Sequence, residues 1–453
     1  MNLSGDLAQV LERARRLVAK GDDEAAKQAY VEALRLDSTD LSALNELGTL
    51  AYAGGFRSAA RTAYLQAVQH HPGDKMARVN LANLLYEESD SAAAALHYRA
   101  ALGIDPDFPE AHQGMARILT AAGDEAQAAR HWRKGFEGHA VVNKPYRGTG
   151  TAVPLLVLVS TRGGNVPAQL WITHRHFAVT AIYVEFFDPA TPLPPHALVV
   201  NLIGDADICA QALDRAEEIA ARTTAPMINP PARVLVSGRA ENARRLGALP
   251  GVVAPAIETL SPSAILASTD LRFPLLLRRP GFHTGLHFTC VENRDGLAPA
   301  LASLAAGELL VIQYLDARGP DGMARKYRVM FVDGVAYPLH LAISGDWKVH
   351  YFSAAMAHNA AYREEERRFL EDMPAVLGRR AMLALREICT VLGLEYAGID
   401  FAVSADGSVL LFEANATMVV FPPGPDPMWD YRRRAIDTVL EAATRMLLRH
   451  AGI

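Results

Sequence analysis

Aromatic residues recur every 34 positions at Tyr30, Tyr64, Tyr98 and Trp132, and nothing else in the chain restricts its fold so severely. Alanines keep the same step at Ala26, Ala60, Ala94 and Ala128, and a third set follows at Ala33, Ala67, Ala101 and Gly135. Small residues at Gly21, Gly55, Ser89 and Gly123 mark turns, while Pro72 and Pro106 stand where repeats end. A period of this length holds a pair of helices that cannot bury its apolar face alone, so successive pairs must stack. The alanines let the helices approach closely and the aromatic fills the remaining gap. Residues 1–140 are therefore expected to form an all-α repeat array.

This spacing is the tetratricopeptide pattern, and the first third of the chain resembles that family. The resemblance implies a solenoid with a concave groove that holds a peptide or partner protein. Asn45, Asn80, Asn83 and Arg117 are polar candidates for its lining. The alternative is a packing or dimerisation module, the second of which implies a homodimer.

The other two thirds must supply more than an array. The chain has 453 residues, enough for two or three domains with substantial cores. Its formal net charge is -5, with both signs interspersed, so neither a nucleic-acid partner nor a membrane surface is expected. The longest apolar runs, such as Val153 to Val159, suit buried strands and are too short to span a bilayer. Cys209, Cys290 and Cys389 are widely separated and form no Cys-x-x-Cys. That spacing argues against a disulfide framework and a cysteine zinc site, and fits a reducing cytoplasm.

Tyr396 to Val420 reads as a β-hairpin with chemistry on one face. Ile399, Phe401 and Val403 alternate with Asp400 and Ala402, Asp406-Gly407 supplies a two-residue turn, and Val409 to Asn415 alternates again. With the turn centred on that dipeptide, Asp400 falls opposite Glu413 and Asn415 shares their face, as do Ala402 and Leu411. Phe401 and Phe412 are expected on the other face. Opposed carboxylates repel and weaken a hairpin. The arrangement makes sense with a divalent cation between them and the Asn415 carbonyl as a third ligand. Few ligands, all hard oxygen, point to Mg²⁺ leaning on substrate phosphates. The plainer reading is a polar face turned to water.

This Asp…Glu-x-Asn hairpin, preceded by a helix and the phrase LGLEYAGID, resembles the metal-binding end of the ATP-grasp ligases. The resemblance is nearest to the branch containing glutathione synthetase and the enzymes that add glutamate to a ribosomal protein. It implies ATP and Mg²⁺ as cofactors, with Asp400, Glu413 and Asn415 as metal ligands. Further segments resemble other parts of that fold. MINPP followed by an Arg-led helix (Arg239 to Leu246) resembles the approach to the nucleotide, with Arg239 where the family has a lysine. FPLLLRRP resembles a strand that ends in a phosphate-binding lysine, a place taken here by Arg278 or Arg279.

PGFHTGLHF, with Gly281 and Gly285, resembles the glycine loop that closes over the β- and γ-phosphates and would bring His283 to the nucleotide. His283 and His287 would share a face only in a helix, which the glycines oppose. LLVIQYLDA resembles the hinge that reads adenine through Gln313, Tyr314 and Leu315, with Asp316 at the ribose. The family commonly has an acid at Gln313. RKYRVMFVDGVAYPLHLAIS is a second hairpin, turning at Asp333-Gly334, with Lys326, Arg328, Met330 and Val332 on one face. Adjacent cations there cost stability unless an anion is bound. The resemblance implies Lys326 at the nucleotide and Arg328 at the reacting acyl-phosphate. Lys348 and His350 stand in a matching position, and Arg328 and Lys348 are the expected catalytic residues.

Between array and hairpins, strands such as VPLLVLV alternate with helices such as Gln211 to Arg222, which indicates a parallel α/β unit. Its Gly163-Gly164 loop, Asp205 and Asp207, and the pair His174 and His176 are candidate contacts, each with a plainer reading as loop or strand. The expected organisation is multidomain: array at 1–140, linker at 141–150, α/β pre-ATP-grasp domain at 151–260, and α+β ATP-grasp domain at 261–453 with a lid near 270–315. The implied function is an ATP-dependent ligase that activates a small-molecule carboxylate as acyl-phosphate and joins it to an amine. The array would recruit a peptide substrate. The alternatives are an ATP-grasp scaffold without turnover and a phosphotransferase or carboxylase on the same fold.

Overall fold

Four helix pairs follow one another from the N-terminus: Leu3–Ala19 with Asp23–Leu36, Leu41–Ala53 with Arg57–His70, Lys75–Glu87 with Ser91–Ile104, and Pro109–Ala121 with Glu125–Phe136. They are seen in a computed structural model that describes residues 3–453 except 145, 282–286, 305–306, 350–354 and 425. His283, Gly285 and His350 lie outside the described residues.

The periodic residues explain why the pairs form and stack. Ala26, Ala60, Ala94 and Ala128 are fully buried, and Tyr30, Tyr64, Tyr98 and Trp132 are packed beside them. A Cβ added at Gly48 would lie 2.5 Å from the Tyr64 ring, and one at Gly114 would collide with the Tyr98 ring. The turns at Gly21, Gly55, Ser89 and Gly123 all take the left-handed backbone, with φ of 72°, 80°, 67° and 79°. Asp22, Asp40, Asp74, Asp90 and Asp124 each cap a helix through a side-chain oxygen that accepts a backbone N–H. Polar candidates for the groove are spent partly on holding neighbouring pairs together. Asn83 accepts hydrogen bonds from the Tyr98 hydroxyl (2.6 Å) and from Arg117 (2.8 Å), and Asn80 donates to Asn45 at 3.4 Å.

Two compact units divide the chain: Met1–Pro154 with His174–Pro194, and Leu155–Thr173 with Pro195–Ile453. The first adds to the array an antiparallel pair, Val141–Asn143 with Phe177–Tyr183. Phe136 packs its ring 4.3 Å from that of Tyr183 and 5.6 Å from that of Phe186. The first three residues of the expected linker are thus strand.

In the second unit the strand Val153–Val159, from Leu155 onward, runs parallel to Leu198–Asn201 and Met227–Ile228, paired from Leu155 with Leu198 and from Val199 with Met227. A four-stranded antiparallel sheet follows in the order Ile257–Leu260, Leu309–Gln313, Leu275–Arg278, Phe288–Val291. Its core is Leu275, Leu277 and Leu309 packed on Leu297, Leu301 and Leu304. A five-stranded sheet has the order Val335–Ser344, Ala324–Val332, Tyr396–Val403, Val409–Asn415, Val252–Val253, the last pair parallel. Asp333 and Gly334, with φ of 54° and 80°, form the two-residue turn of its first hairpin. Among the described residues no helix is long and apolar enough to cross a membrane.

Ser89 and Gly114 test the packing logic in opposite directions. Ser89→Gly removes the steric cost of a left-handed non-glycine residue and is expected to stabilise the array by up to about 1 kcal/mol. Gly114→Ala drives a methyl into the Tyr98 ring and is expected to cost about 1–3 kcal/mol. Urea unfolding of the full chain measures both.

Candidate functional site

Four side chains form one row across the five-stranded sheet. His340 is the cross-strand partner of Arg328, Arg328 of Asp400, and Asp400 of Glu413. Cross-strand partners point to one face, so the row presents two adjacent carboxylates with Arg328 beside them.

The expected opposition of Asp400 and Glu413 is present, but a simple two-residue turn does not produce it. Near the turn the partners are Val403 with Val409, Ala402 with Leu410 and Phe401 with Leu411. Carried on unchanged, that register would set Phe412 opposite Asp400 and leave Glu413 on the far face. A bulge between Asp400 and Phe401 absorbs one extra residue of the second strand and turns Glu413 back to its partner. Phe412 is displaced by the same bulge. It lines the cavity described below rather than joining buried Phe401 on the opposite face.

Each carboxylate has its own cation. Asp400, nearly fully buried, takes a forked contact from Arg328 (Nε to Oδ1 2.6 Å, Nη2 to Oδ2 2.8 Å) and a third from Lys326 (3.0 Å). Glu413 accepts from Arg239 at 2.6 Å and from the Asn415 amide nitrogen at 2.8 Å. Burial alone would raise both carboxyl pKa values. The charges of Arg328 and Lys326 instead hold Asp400 well below the carboxylate range, and those of Arg239 and Arg278 bring Glu413 down to about 2. Both are ionised at neutral pH. His340, buried and beside Arg328, is pushed toward its neutral form.

The row opens into a cavity of about 520 Å³. Arg239, at the first position of the Arg239–Leu246 helix, enters it together with Arg278, Lys326, Arg328 and Lys348. Strand alternation selects Arg278 over Arg279: Leu275 and Leu277 lie in the core, while Leu276 and Arg278 line the cavity. Burial lowers the Arg278 pKa to about 10, with the nearby Arg239 charge adding to the effect. Gln313, Tyr314 and Leu315 line the cavity at the end of the Leu309–Gln313 strand. Gln313 is fixed there by its backbone N–H to the Ala256 carbonyl (2.9 Å) and its side-chain oxygen to the Ala256 N–H (3.1 Å).

Arg279 and Asp316 are not among the lining residues. The Asp316 carboxylate accepts two side-chain hydrogen bonds from Arg318, at 2.9 and 2.7 Å. Asn415, expected as an oxygen ligand, turns its amide nitrogen to Glu413. Its oxygen accepts from the Thr417 N–H (2.9 Å) and hydroxyl (3.0 Å), and since a backbone N–H can only donate, the orientation is fixed. Asp205 caps the Ala206–Ala220 helix, and Asp207 accepts the Arg239 N–H, both in a small adjoining recess that shares Arg239, Glu413 and Asn415. No group of three or more His, Cys, Asp or Glu that could hold a metal occurs among the described residues. The donor set that does fit Mg²⁺ is the ionised, facing Asp400–Glu413 pair: two hard-oxygen carboxylates, each now engaged by a cation.

Several lining residues have no sequence motif. Phe288 is the cross-strand partner of Arg278, whose guanidinium lies 5.2 Å from its ring centre, and Trp347 meets the same ring edge-on at 5.3 Å. Met418, Val419 and Phe421 line the cavity just past Asn415. Their place directly after the acidic hairpin was the one available signal.

The tetratricopeptide-repeat family matches residues 45–109, and the N-terminal region consists of such repeats. Among solved structures, MamA from Desulfovibrio magneticus RS-1 is 19% identical, covers 29% of this chain and 74% of its own, and has a TM-score of 0.27. YrrB, described as a TPR protein with an unusual peptide-binding site, is 17% identical over 31% of this chain and 77% of its own, with a TM-score of 0.27. A RimK domain ATP-grasp protein from Sphaerobacter thermophilus DSM 20745 is 17% identical over 65% of this chain and 100% of its own, with a TM-score of 0.42. No curated protein matches the sequence.

Removing one member of the buried cluster exposes its energetics. Asp400→Asn strips the partner from Arg328 and Lys326 and is expected to lower unfolding free energy by about 3–5 kcal/mol, whereas Asp400→Leu with Arg328→Met and Lys326→Met recovers most of that loss. Urea denaturation of the two variants decides it: equal losses would mean that the charges are not coupled.

Proposed function

We propose that this chain is an ATP-dependent ligase of the ATP-grasp kind, which activates a carboxylate as acyl-phosphate and joins it to an amine. One observation carries the reading. A single cavity collects an apolar strand end with fixed backbone groups, five cations, and two ionised carboxylates facing each other. Its volume of about 520 Å³ lies within the range of about 300–1,000 Å³ usual for small-molecule sites.

Each part has a task in that chemistry. Gln313, Tyr314 and Leu315 surround the adenine, with Arg278 and Lys326 at the phosphates. Asp400 and Glu413 would hold Mg²⁺, with Asn415 beside them, and the ion would neutralise phosphate charge. The substrate carboxylate attacks the γ-phosphorus, ADP leaves, and an amine then displaces phosphate from the acyl carbon. Arg328, together with Lys348, neutralises the charge that develops on the transferring group. Arg239 and Arg328 now rest on the carboxylates, so ligand entry exchanges their partners. The repeat array recruits a peptide or protein that carries one of the substrates, a part of the reading that fails if the full chain retains neither in pull-down.

A second reading has its own support. The same ion pairs satisfy the site internally, as a scaffold that has lost turnover would. Incubation with ATP, Mg²⁺, a mixture of acids and hydroxylamine separates the two. The ligase is expected to release ADP and form hydroxamate from trapped acyl-phosphate, and Arg328→Met to slow both by about 100-fold or more. ADP release unchanged in Arg328→Met and in Glu413→Gln would remove the assignment.

A further inference from the structure

The charged row occupies only part of its face of the sheet. One pleat along from Asp400 is Gly398, whose cross-strand partner Met330 follows Arg328 at the same interval. A Cβ at Gly398 would fall 2.7 Å from Met418 and 2.8 Å from the Met330 sulfur. The glycine thus lets two methionines close over the sheet beside the Arg328–Asp400 pair. Met418, Val419 and Phe421 continue this wall of the cavity, with Leu339 and Ile436 from other elements. Ile312 belongs to a different sheet, so the apolar lining of the cavity extends beyond the strand end assigned to adenine.

Charge limits what fills it. The described lining residues include five cations (Arg239, Arg278, Lys326, Arg328, Lys348) and two carboxylates (Asp400, Glu413), an excess of three positive charges. MgATP is a dianion, which leaves one positive charge for the acid. Asp205 and Asp207 lie in the adjoining recess, where backbone N–H groups meet them. A second carboxylate on the substrate would lie against Met418 and Val419, whose side chains offer it neither charge nor hydrogen bond.

We infer that the acid taken by this site is a monocarboxylate with an apolar body, its carboxylate on Arg328 and its body against Met418, Val419 and Phe421. The inference rests on the ligase reading and names its substrate class. Acidic amino acids and dicarboxylates are disfavoured because Met418, Val419 and Phe421 offer no charge to pair their second carboxylate.

Calorimetry on the full chain tests it, with hexanoate, 3-phenylpropanoate, glutarate and glutamate each titrated in the presence of AMPPNP and Mg²⁺. The two apolar acids are expected to bind about tenfold more tightly than the other two. Val419 is half-buried, and Val419→Lys adds a cation there, which is expected to reverse the order in favour of glutarate. Tighter binding of glutarate or glutamate to the unaltered chain, equal binding of all four, or no binding of either apolar acid overturns the inference. The heat of AMPPNP with Mg²⁺ alone reports on the nucleotide reading separately. If that heat is absent while the apolar acids still bind selectively, the ligase reading falls and the pocket assignment stands.

Discussion

Two like charges held face to face inside a protein are unstable unless something of opposite sign reaches both. Asp400 and Glu413 are such a pair, placed on adjacent strands by a bulge and ionised despite burial. Arg328 and Lys326 answer the first, and Arg239 answers the second. Bringing those cations in requires a neighbouring hairpin in fixed register and a helix that starts beside the sheet. The architecture of the second unit can be read as the means of delivering them.

The same constraint links stability to chemistry. A buried ion pair contributes little net stability over an apolar pair of the same shape, although breaking it is expensive. Retaining one with a forked arginine contact, beside an open cavity, fits a role in ligand exchange. In the proposed reaction magnesium would take over the carboxylates and phosphate the arginines, so that neither set would be left unpaired. Arg278, lifted onto the cavity face by strand alternation and covered by the Phe288 ring, adds a cation that stays charged at neutral pH although burial lowers its pKa to about 10.

Much of this was legible in the sequence because the signals were periodic. The 34-residue step in Tyr30, Tyr64, Tyr98 and Trp132 reports helix pairs directly, since each residue fills the same gap in its pair. The Arg239–Leu246 helix and the Asp333-Gly334 turn lie where the residue pattern places them. What stayed hidden was geometry that depends on a single residue's register or on distant partners. Pattern alone assumed an unbroken ladder through Phe412, because a bulge leaves no mark on alternation. Asn415 presents nitrogen rather than oxygen to Glu413, because Thr417, two residues on, claims the oxygen. Nor could spacing show that the anion beside Lys326 and Arg328 is Asp400 itself, 74 and 72 residues away.

The central claim is that the carboxylate pair and its cations exchange partners when metal and nucleotide arrive together. Calorimetric titration of the full chain with Mg²⁺, first alone and then in the presence of AMPPNP, addresses it most directly. Mg²⁺ alone is expected to give no binding heat, because Arg239, Arg328 and Lys326 already hold the carboxylates, whereas Mg²⁺ with AMPPNP binds. Equal binding of Mg²⁺ with and without the nucleotide analogue, or none in either case, would contradict the account.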